Sequence, residues 1–370
     1  MTDNAIKKKN YLFLLDYLVI LLTSWVLSLQ SSVTLFSASE PEVDSSVWLY
    51  IASRIKYGDM PYLNSFDHKG PLLYLFEFFG LSIFEQYGPW IVDFVLVAVS
   101  FMFLYRLSKI ENSRLISLIV VLTAICFLAE FYSAGNIVEL FAMPFVSIAC
   151  YVYTKYFIKG VCRNRDLVLF GVSFAAVLLL RVEMVAPWCI FCMFVCIDSV
   201  LKKEANNLKR YICCFIGGAA IIIVPVMVWL GLNQTLEAFW AQYIIFNINY
   251  SSFSGTQDHV ERIVIFATFM KEELMLVSWI LSLIPAFRRK DTYSVSISFL
   301  IPLISIVCSL SGRLYSHYAI LLIPLCVMSI SHAVGYLKFP TKNMRINISL
   351  VVSLLVFAYC GVVLLVVAVL

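Results

Sequence analysis

Apolar stretches long enough to cross a bilayer recur along the whole sequence, and they constrain the fold more than any other feature. A helix of about 20 apolar residues spans the roughly 30 Å of hydrocarbon in a membrane. Eleven such spans are predicted, at 11–36, 88–108, 114–132, 137–158, 167–181, 184–200, 210–232, 272–287, 293–310, 317–337 and 346–369. Hydrophobic residues make up 62% of the 370 and charged residues only 14%, which excludes a soluble globule. We therefore expect an all-α, polytopic integral membrane protein that forms one domain over 1–370, with no separate soluble domain.

The basic residues indicate how the chain is oriented. With a cytoplasmic N-terminus, 20 of the 27 lysines and arginines lie on the cytoplasmic side, and every alternate loop follows the positive-inside rule. The others are Arg54, Lys56, Lys69, Arg181, Arg262, Lys271 and Arg313. The net charge of +4 is thus mostly a topological signal and gives no support for nucleic-acid binding. We expect a multi-pass protein of the cell membrane, embedded in the lipid bilayer, whose polar chemistry faces the extracytoplasmic side.

Two long extracytoplasmic segments, 37–87 and 233–271, hold the densest polar patterns. In the first, Asp44 opens an amphipathic helix, and Pro71 suits the first position of a second helix over 71–84. Asp44 is either the N-cap of its helix or a chemically active carboxylate, and the two roles are compatible. The second segment mixes aromatic and amide side chains, which suit sugar contacts but also an ordinary interfacial aromatic belt.

Between the two helices of the first segment, Asp67, His68 and Lys69 place an acid, an imidazole and an ammonium on consecutive residues. Such a cluster beside a helix N-terminus attracts phosphate, because backbone amides and a cation converge there. The alternative is a hydrated surface loop with a chance cluster of charges. Asp67 and His68 also offer ligands for a divalent cation, but no ligand spacing in the sequence supports a metal site.

Further polar side chains lie at the predicted extracytoplasmic ends of spans: Glu139, Arg181, Glu183, Arg313, Tyr315 and His317. Glu139 begins a span and either caps it or contacts a substrate. Arg181 and Glu183 flank a turn, where they either pair with each other or bind substrate. Arg313 is either an interfacial anchor or a ligand, and the aromatic residues that follow it favour the second role.

These motifs resemble those of a known family. The run from Asp44 to Tyr50, the Gly58–Tyr62 turn and the Phe66–Leu72 block are similar to the first external loop of bacterial GT-C glycosyltransferases, the broad family that includes protein O-mannosyltransferases and aminoarabinose transferases. Downstream matches at outer helix ends are 135–139 with Pro144, 181–183, 246–250 and 312–318. The larger members also carry a C-terminal extracytoplasmic domain, for which this sequence shows no counterpart.

The resemblance implies a GT-C-like fold and an inverting transfer of a sugar from a polyprenyl-phosphate carrier to a hydroxyl acceptor of the cell envelope. Asp44 is the candidate base, because one carboxylate must accept the proton of the attacking hydroxyl. Lys69, Arg313 and two histidines, His68 and His317, are candidates to stabilise the leaving phosphate. Some members use a divalent metal, and no other cofactor is implied.

Two other classes of protein stay open on the sequence alone. A lipid-carrier flippase or polysaccharide transporter also has many spans, but it requires a polar path through the membrane, whereas the ionisable residues here lie at one rim. A non-enzymatic assembly partner has no evident use for an Asp-His-Lys cluster beside a candidate base. Nucleotide-sugar donors are disfavoured, because the sequence has no Gly-rich phosphate loop and no large cytoplasmic region.

Overall fold

The structure, a computed structural model, describes residues 3–34, 41, 43–160, 162–253, 258–310, 312–313 and 315–337. Its α-helices are α1 Asp3–Ser28, α2 Val43–Ile55, α3 Pro71–Phe84, α4 Gly88–Ser108, α5 Arg114–Phe131, α6 Val138–Lys159, α7 Asn164–Leu178, α8 Ala186–Leu201, α9 Ala205–Leu232, α10 Leu236–Phe239, α11 Phe246–Phe253, α12 His259–Lys271, α13 Glu273–Arg289, α14 Thr292–Leu310 and α15 Ile323–Tyr336. Short 3-10 helices lie at Glu85–Tyr87, Val182–Val185 and Ser316–Leu322, and a π-helix lies at Trp240–Ile245. The part of the chain that the structure describes contains no β-strand, which confirms the all-α class.

Seven helical segments of the described residues are long and apolar enough to cross a membrane. They are Gly88–Ser108, Arg114–Phe131, Val138–Lys159, Val182–Leu201, Asn207–Leu232, Thr292–Leu310 and Ser316–Tyr336. The protein is therefore a polytopic membrane protein, and the count of eleven spans stays a prediction. The last predicted span, 346–369, lies outside the described residues.

The observed helices begin and end within a few residues of most predicted spans. The span predicted at 88–108 coincides with α4, and the helix predicted at 71–84 coincides with α3, which begins with Pro71 at its first position. The first span is shorter than predicted, since α1 ends at Ser28 and not near residue 36. Two consecutive serines follow, and the N–H of Ser32 donates to the Ala134 carbonyl at 2.7 Å, so the backbone leaves the helix to bind another segment.

The bundle has an interior helix and a peripheral one. The segment Ser316–Tyr336 contains α15, and 94% of its most apolar 18-residue stretch is buried. The helices α4, α5, α6, α13 and α14 pack around it. In Asn207–Leu232, which lies within α9, only 17% of the corresponding 18-residue stretch is buried, and α9 packs mainly against α7. The apolar surface of α9 therefore faces away from the protein, as expected of a helix in contact with lipid.

One end of the bundle, here called the basic end, holds its buried acids in ion pairs. It contains the connections 108–114, 159–164, 201–205 and 289–292. Asp16 of α1 is fully buried, and it accepts two hydrogen bonds of 2.7 Å from Arg114. The other pairs of buried acids are Asp166 with Lys155 at 2.7 Å and Asp198 with Lys202 at 2.8 Å. Among the described residues, each buried carboxylate at this end thus has a basic partner.

Candidate active site

The candidate site lies at the opposite end of the bundle, here called the site end, where the loop between α2 and α3 folds against the end of α7. The N–H of Gly70 donates to the Leu180 carbonyl at 2.9 Å. A Cβ atom at position 70 would lie 2.0 Å from the Leu179 carbonyl oxygen, so only glycine permits this approach. The contact brings the 67–69 segment alongside Arg181.

Two buried tyrosines hold the Asp67–Lys69 segment in place. The hydroxyl of Tyr62 donates to the Lys69 carbonyl at 2.6 Å, and the hydroxyl of Tyr74 donates to Oδ2 of Asp67 at 2.8 Å. The two rings pack edge to face, with their centroids 5.8 Å apart. Because both hydroxyls bond within the protein, the charged segment is fixed by the fold and does not behave as the hydrated loop of the alternative interpretation.

Lys69 is a buried cation in an unusual environment. Its residue surface is only 8% exposed, and its ammonium lies 3.1 Å from Nε2 of His68. Among the described residues, no carboxylate lies within 4 Å of this ammonium. Burial lowers the pKa of Lys69 below its ordinary value of 10.5 and the charge of Arg181 lowers it further, while Asp67, Glu139 and Asp44 oppose the shift. The ammonium is therefore an anion-seeking group that the protein itself only partly compensates.

Asp67 is held in its ionised form. Burial opposes ionisation, but hydrogen bonds from His68 and Tyr74 and the charge of Lys69 outweigh it, so the pKa of Asp67 lies below its usual value. The backbone N–H of His68 donates to Oδ1 of Asp67 at 2.6 Å. Asp67 thus positions the imidazole and the ammonium beside it.

Arg181 is the centre of a second group at the site end. It donates to Oε1 of Glu139 and to the Tyr318 hydroxyl, each at 2.9 Å, and it pairs with Glu183. Its guanidinium also lies 4.9 Å from the centroid of the Tyr318 ring. The predicted pairing of Arg181 with Glu183 is present. The helix-capping role of Glu139 is wrong, since α6 has no side-chain cap and the carboxylate turns to the stronger charged donor.

Asp44 lies in the first turn of α2, with its side chain exposed. Its predicted N-cap role is wrong, because the helix already includes Val43. The next residue, Ser45, is fully buried and accepts a 2.7 Å hydrogen bond from the amide of Asn136. The helix start that carries Asp44 is therefore pinned to the segment that leads to Glu139.

Arg313 lies in an aromatic group beside the site. Its guanidinium lies 4.8 Å from the centroid of the Tyr250 ring and donates to the Tyr315 hydroxyl at 3.1 Å. The ring of Tyr315 stacks on His317 with centroids 5.3 Å apart. The His68 ring lies 5.3 Å from Tyr250, so this group and the Asp67–Lys69 segment form one continuous surface.

Amide side chains of the second long segment bind the first loop, a role that the sequence analysis missed. Gln242, in the π-helix, donates to the Tyr62 carbonyl at 2.6 Å and accepts from the N–H of Asp67 at 3.2 Å. Asn247 donates to the His68 carbonyl at 2.7 Å. These contacts join residues about 180 positions apart, and the mixture of amides in the sequence was the only signal of them.

A narrow pocket of about 40 Å³ opens beside Arg181 between α8, α14 and the turn before α15. Apart from Arg181, Glu183 and Tyr318 at its polar end, its walls are mainly apolar, formed by Met184, Pro187, Ile304, Val307 and Leu321. A charged end joined to apolar walls suits part of an amphipathic ligand, such as the phosphate end of a lipid. Over the described residues, no group of three or more His, Cys, Asp or Glu side chains is placed to hold a metal ion.

The sequence matches the model of the putative competence-induced protein Ccs4 N-terminal domain over residues 5–359. The chain belongs to this family. The description of the family names no reaction, so membership alone does not indicate an activity. No significant match to a curated protein was found.

A solved structure shares the overall fold of this family member. The crystal structure of ArnT from Cupriavidus metallidurans bound to undecaprenyl phosphate is similar, with a TM-score of 0.62 and 11% sequence identity over 95% of this chain and 64% of ArnT. The archaeal oligosaccharyltransferase AglB from Archaeoglobus fulgidus, in complex with an inhibitory peptide and a dolichol-phosphate, gives a TM-score of 0.49 and 12% identity over 94% of this chain and 55% of AglB. The chain thus spans less than two thirds of either protein. The likeness to ArnT confirms the GT-C-like fold that the motifs indicated.

Proposed function

We propose that the protein is an inverting glycosyltransferase that moves a sugar from a polyprenyl-phosphate carrier to a hydroxyl group of a cell-envelope glycan, lipid or protein. The reaction would take place at the site end, which is extracytoplasmic when the N-terminus is cytoplasmic. The observation that carries the proposal is the buried Lys69 ammonium, which lies beside Arg181 without a carboxylate partner within 4 Å in the described chain. A GT-C-like fold supplies the membrane setting that a lipid carrier needs.

The environment of Lys69 favours an anionic ligand. Burial and a neighbouring positive charge disfavour the ammonium, and a bound phosphate would offset both effects. As the bond between the anomeric carbon and the phosphate oxygen breaks, negative charge grows on the phosphate. Cations that are already fixed in a site of low dielectric stabilise this charge far better than mobile cations in water. Lys69, with His68 beside it, would bind the phosphate of the donor in this way.

Asp44 is the proposed general base. In an inverting transfer the acceptor oxygen attacks the anomeric carbon from the face opposite the phosphate, and a carboxylate takes the proton from the attacking hydroxyl. The Asp44 carboxylate is exposed to an incoming acceptor, yet it lies near enough to Lys69 to influence the charge there. Its helix start is held through Ser45, which suits a group that must keep a fixed position.

The remaining groups suit the other parts of the donor. The apolar walls of the pocket beside Arg181 would contact the first isoprene units of the carrier, and the structure of ArnT with undecaprenyl phosphate supports a carrier of this class. Arg313 and the rings around it would contact the sugar, because aromatic faces and a guanidinium match its C–H and hydroxyl groups. In this proposal Arg181 mainly orders the site, since its guanidinium is already bonded to Glu139, Glu183 and Tyr318.

The test is a transfer assay on the purified protein with a radiolabelled polyprenyl-phosphate sugar and a cell-envelope extract as acceptor. Label should leave the lipid in the wild type, and Asp44→Asn should reduce this by at least a hundredfold while the protein still inserts and binds the donor. Asp59→Asn is the matched control, because Asp59 lies in the same extracytoplasmic segment, 37–87, but pairs with Arg54 at 2.7 Å. Full transfer by Asp44→Asn would refute the assigned base. Movement of the lipid across vesicles without loss of its sugar would indicate a flippase.

A further inference from the structure

Behind the candidate site, α3 and α4 bury two carboxylates that have no basic partner among the described residues. Glu77 of α3 and Asp93 of α4 are both 0% exposed. The two helices meet so closely that a Cβ atom on Gly88 would lie 1.7 Å from the carbonyl oxygen of Gly80. This approach brings the two acids onto adjacent stretches of packed helices, near enough for the charge of Asp93 to act on Glu77.

The oxygen atoms of this pair are largely without hydrogen-bond donors. Oδ2 of Asp93 accepts from the N–H of Asn136 at 2.7 Å and from the Ser31 hydroxyl at 3.4 Å. Oδ1 of Asp93 and both carboxylate oxygens of Glu77 have no hydrogen-bond partner in the described structure. Oδ1 of Asn136 and the hydroxyl of Tyr132, both fully buried, also lack a hydrogen bond of good geometry, although the side chain of Asn136 lies close enough to Glu77 to interact with it, as does that of Ser31 with Tyr132.

Leaving such groups unsatisfied is costly. A buried carboxylate without a partner costs several kcal/mol, which is why proteins pair buried charges or bind metal ions with them. Protonation of Glu77 would remove its charge and allow its O–H to donate to Oδ1 of Asn136, but the second oxygen of Glu77 and Oδ1 of Asp93 would still have no donor. One cation between the two acids would neutralise their charges and would also coordinate the oxygen atoms that lack a donor.

We propose that Glu77 and Asp93, with the side chains of Asn136 and Tyr132 completing the shell, bind one divalent cation. Two carboxylates neutralise a charge of +2, and a donor set made only of oxygen atoms suits a hard ion such as Mg²⁺ or Ca²⁺ and not Zn²⁺ held by nitrogen or sulfur. The site is separate from the Asp67–His68 pair, which lies in the loop before α3.

The cation would have a positioning role. It would link α3 and α4 to the segment before α6, and Asn136 in that segment also bonds to Ser45 beside Asp44. The ion would thus fix the helix that carries the proposed base without touching the reacting atoms. Binding of the ion does not depend on the transfer reaction, whereas this positioning role rests on the proposed function.

The test measures metal content and thermal unfolding of the detergent-purified full chain, so it does not rely on activity. After gel filtration in metal-free buffer, elemental analysis should find about one Mg²⁺ or Ca²⁺ per chain. EDTA should remove the ion and lower Tm, and titrated Mg²⁺ or Ca²⁺ should restore Tm in a saturable way. Glu77→Gln should hold no ion and show the same Tm with and without EDTA. Asp67→Asn, a buried acid of the neighbouring loop, should keep both the ion and the response.

Three results would overturn the proposal. The first is a wild-type protein that holds no divalent ion and whose Tm does not respond to Mg²⁺ or Ca²⁺. The second is unchanged metal content in both Glu77→Gln and Asp93→Asn. The third is loss of the ion in Asp67→Asn with retention in Glu77→Gln, which would place the metal in the first loop. If the variants fail to fold, the chelation and titration of the wild type still decide between the first result and the proposal.

Discussion

The two ends of the helical bundle differ in their buried charges, because the site end holds unmatched charges beside its matched Arg181–Glu139 pair. At the basic end, Asp16 is fully buried and fully matched, since Arg114 binds both of its carboxylate oxygens. At the site end, Lys69 is buried with no carboxylate within 4 Å, and Glu77 and Asp93 are buried with no basic residue beside them, as far as the described residues extend.

This difference separates charges that hold the fold from charges that are available to a ligand. A matched pair satisfies its own atoms and has nothing left to bind a substrate. An unmatched buried charge lowers stability on its own and becomes favourable only when a ligand of opposite sign arrives. Unmatched charges of both signs meet at the site end, which is therefore where we place anion and cation binding.

The strongest way to test the comparison is to break a matched pair. Arg114→Ala leaves the buried Asp16 carboxylate with only the Tyr105 hydroxyl as a donor. We expect a loss of about 3 kcal/mol in the free energy of unfolding, the lower end for a buried pair, because the Arg114 side chain is partly exposed. Denaturant titration in detergent measures this loss. Arg165→Ala is the control, because the Arg165 side chain is 69% exposed and lies 3.8 Å from Asp166, which already has Lys155. Equal effects of both substitutions would contradict a structural role for the Asp16 pair.

The corresponding change at the site end should affect binding and not folding. Lys69→Met removes an ammonium that the fold disfavours, so the free energy of unfolding should stay the same or rise. Donor affinity should fall about 10- to 100-fold, or roughly 1.4–2.8 kcal/mol, as measured by binding of a polyprenyl phosphate. Lys56→Met, an exposed lysine after α2, should change neither quantity. Marked unfolding of Lys69→Met would remove the distinction between the two ends.

Loss of a contact between the two long segments, 37–87 and 233–271, should have a smaller effect than loss of the charge of Arg114 or Lys69. Asn247→Ala removes the hydrogen bond to the His68 carbonyl, which we expect to cost about 1 kcal/mol, or roughly a fivefold loss in kcat/KM of transfer. Asn233→Ala is the control, since its amide bonds only to the Trp229 carbonyl in the preceding turn. A loss as large for Asn233→Ala as for Asn247→Ala would show that the effect is not specific to the first loop.

The smallest effect, and the most specific, is a dependence on pH below 10.5, the ordinary pKa of lysine. Because the pKa of Lys69 is lowered in the folded protein, the folded protein loses this charge at a lower pH than 10.5. Donor affinity should fall as pH rises through the folded pKa, whereas Lys69→Arg should stay flat, since arginine keeps its charge. The sign for stability is opposite. Below the folded pKa, Lys69 is charged in both the folded and the unfolded state, and burying this charge lowers the free energy of unfolding. This loss of stability disappears as pH rises through the folded pKa towards 10.5.

Much of the fold could be predicted from the sequence, because hydropathy over about 20 residues is a strong local signal. The α3 helix was predicted to the residue for this reason, with Gly70 and Pro71 marking its start. The Asp67–Lys69 cluster was recognisable since its charges are consecutive. The end of α1 was misplaced, because Ser32 leaves the helix to bind residue 134, and hydropathy contains no such information.

The rest of the site depends on contacts across the chain. Gln242 and Asn247 are ordinary amides in a mixed segment, and only the folded structure shows that they bind the backbone of the first loop. Glu139 looked like a helix cap, but Arg181, 42 residues later, is a better partner. Glu77 and Asp93 were overlooked as single acids in apolar helices, although an acid in such a helix is itself a signal of function in a membrane protein.

The enclosed position of α15 has a consequence for how the protein is made. α15 is the last helix of the described chain to be synthesised, yet the earlier helices α4, α5 and α6 pack around it. During translation those helices must wait in the membrane with a gap between them, with lipid or insertion factors covering surfaces that α15 will later occupy. The ribosome therefore delivers the central helix after its surroundings, and the cluster around Arg181 is completed only when Tyr318, just before α15, arrives.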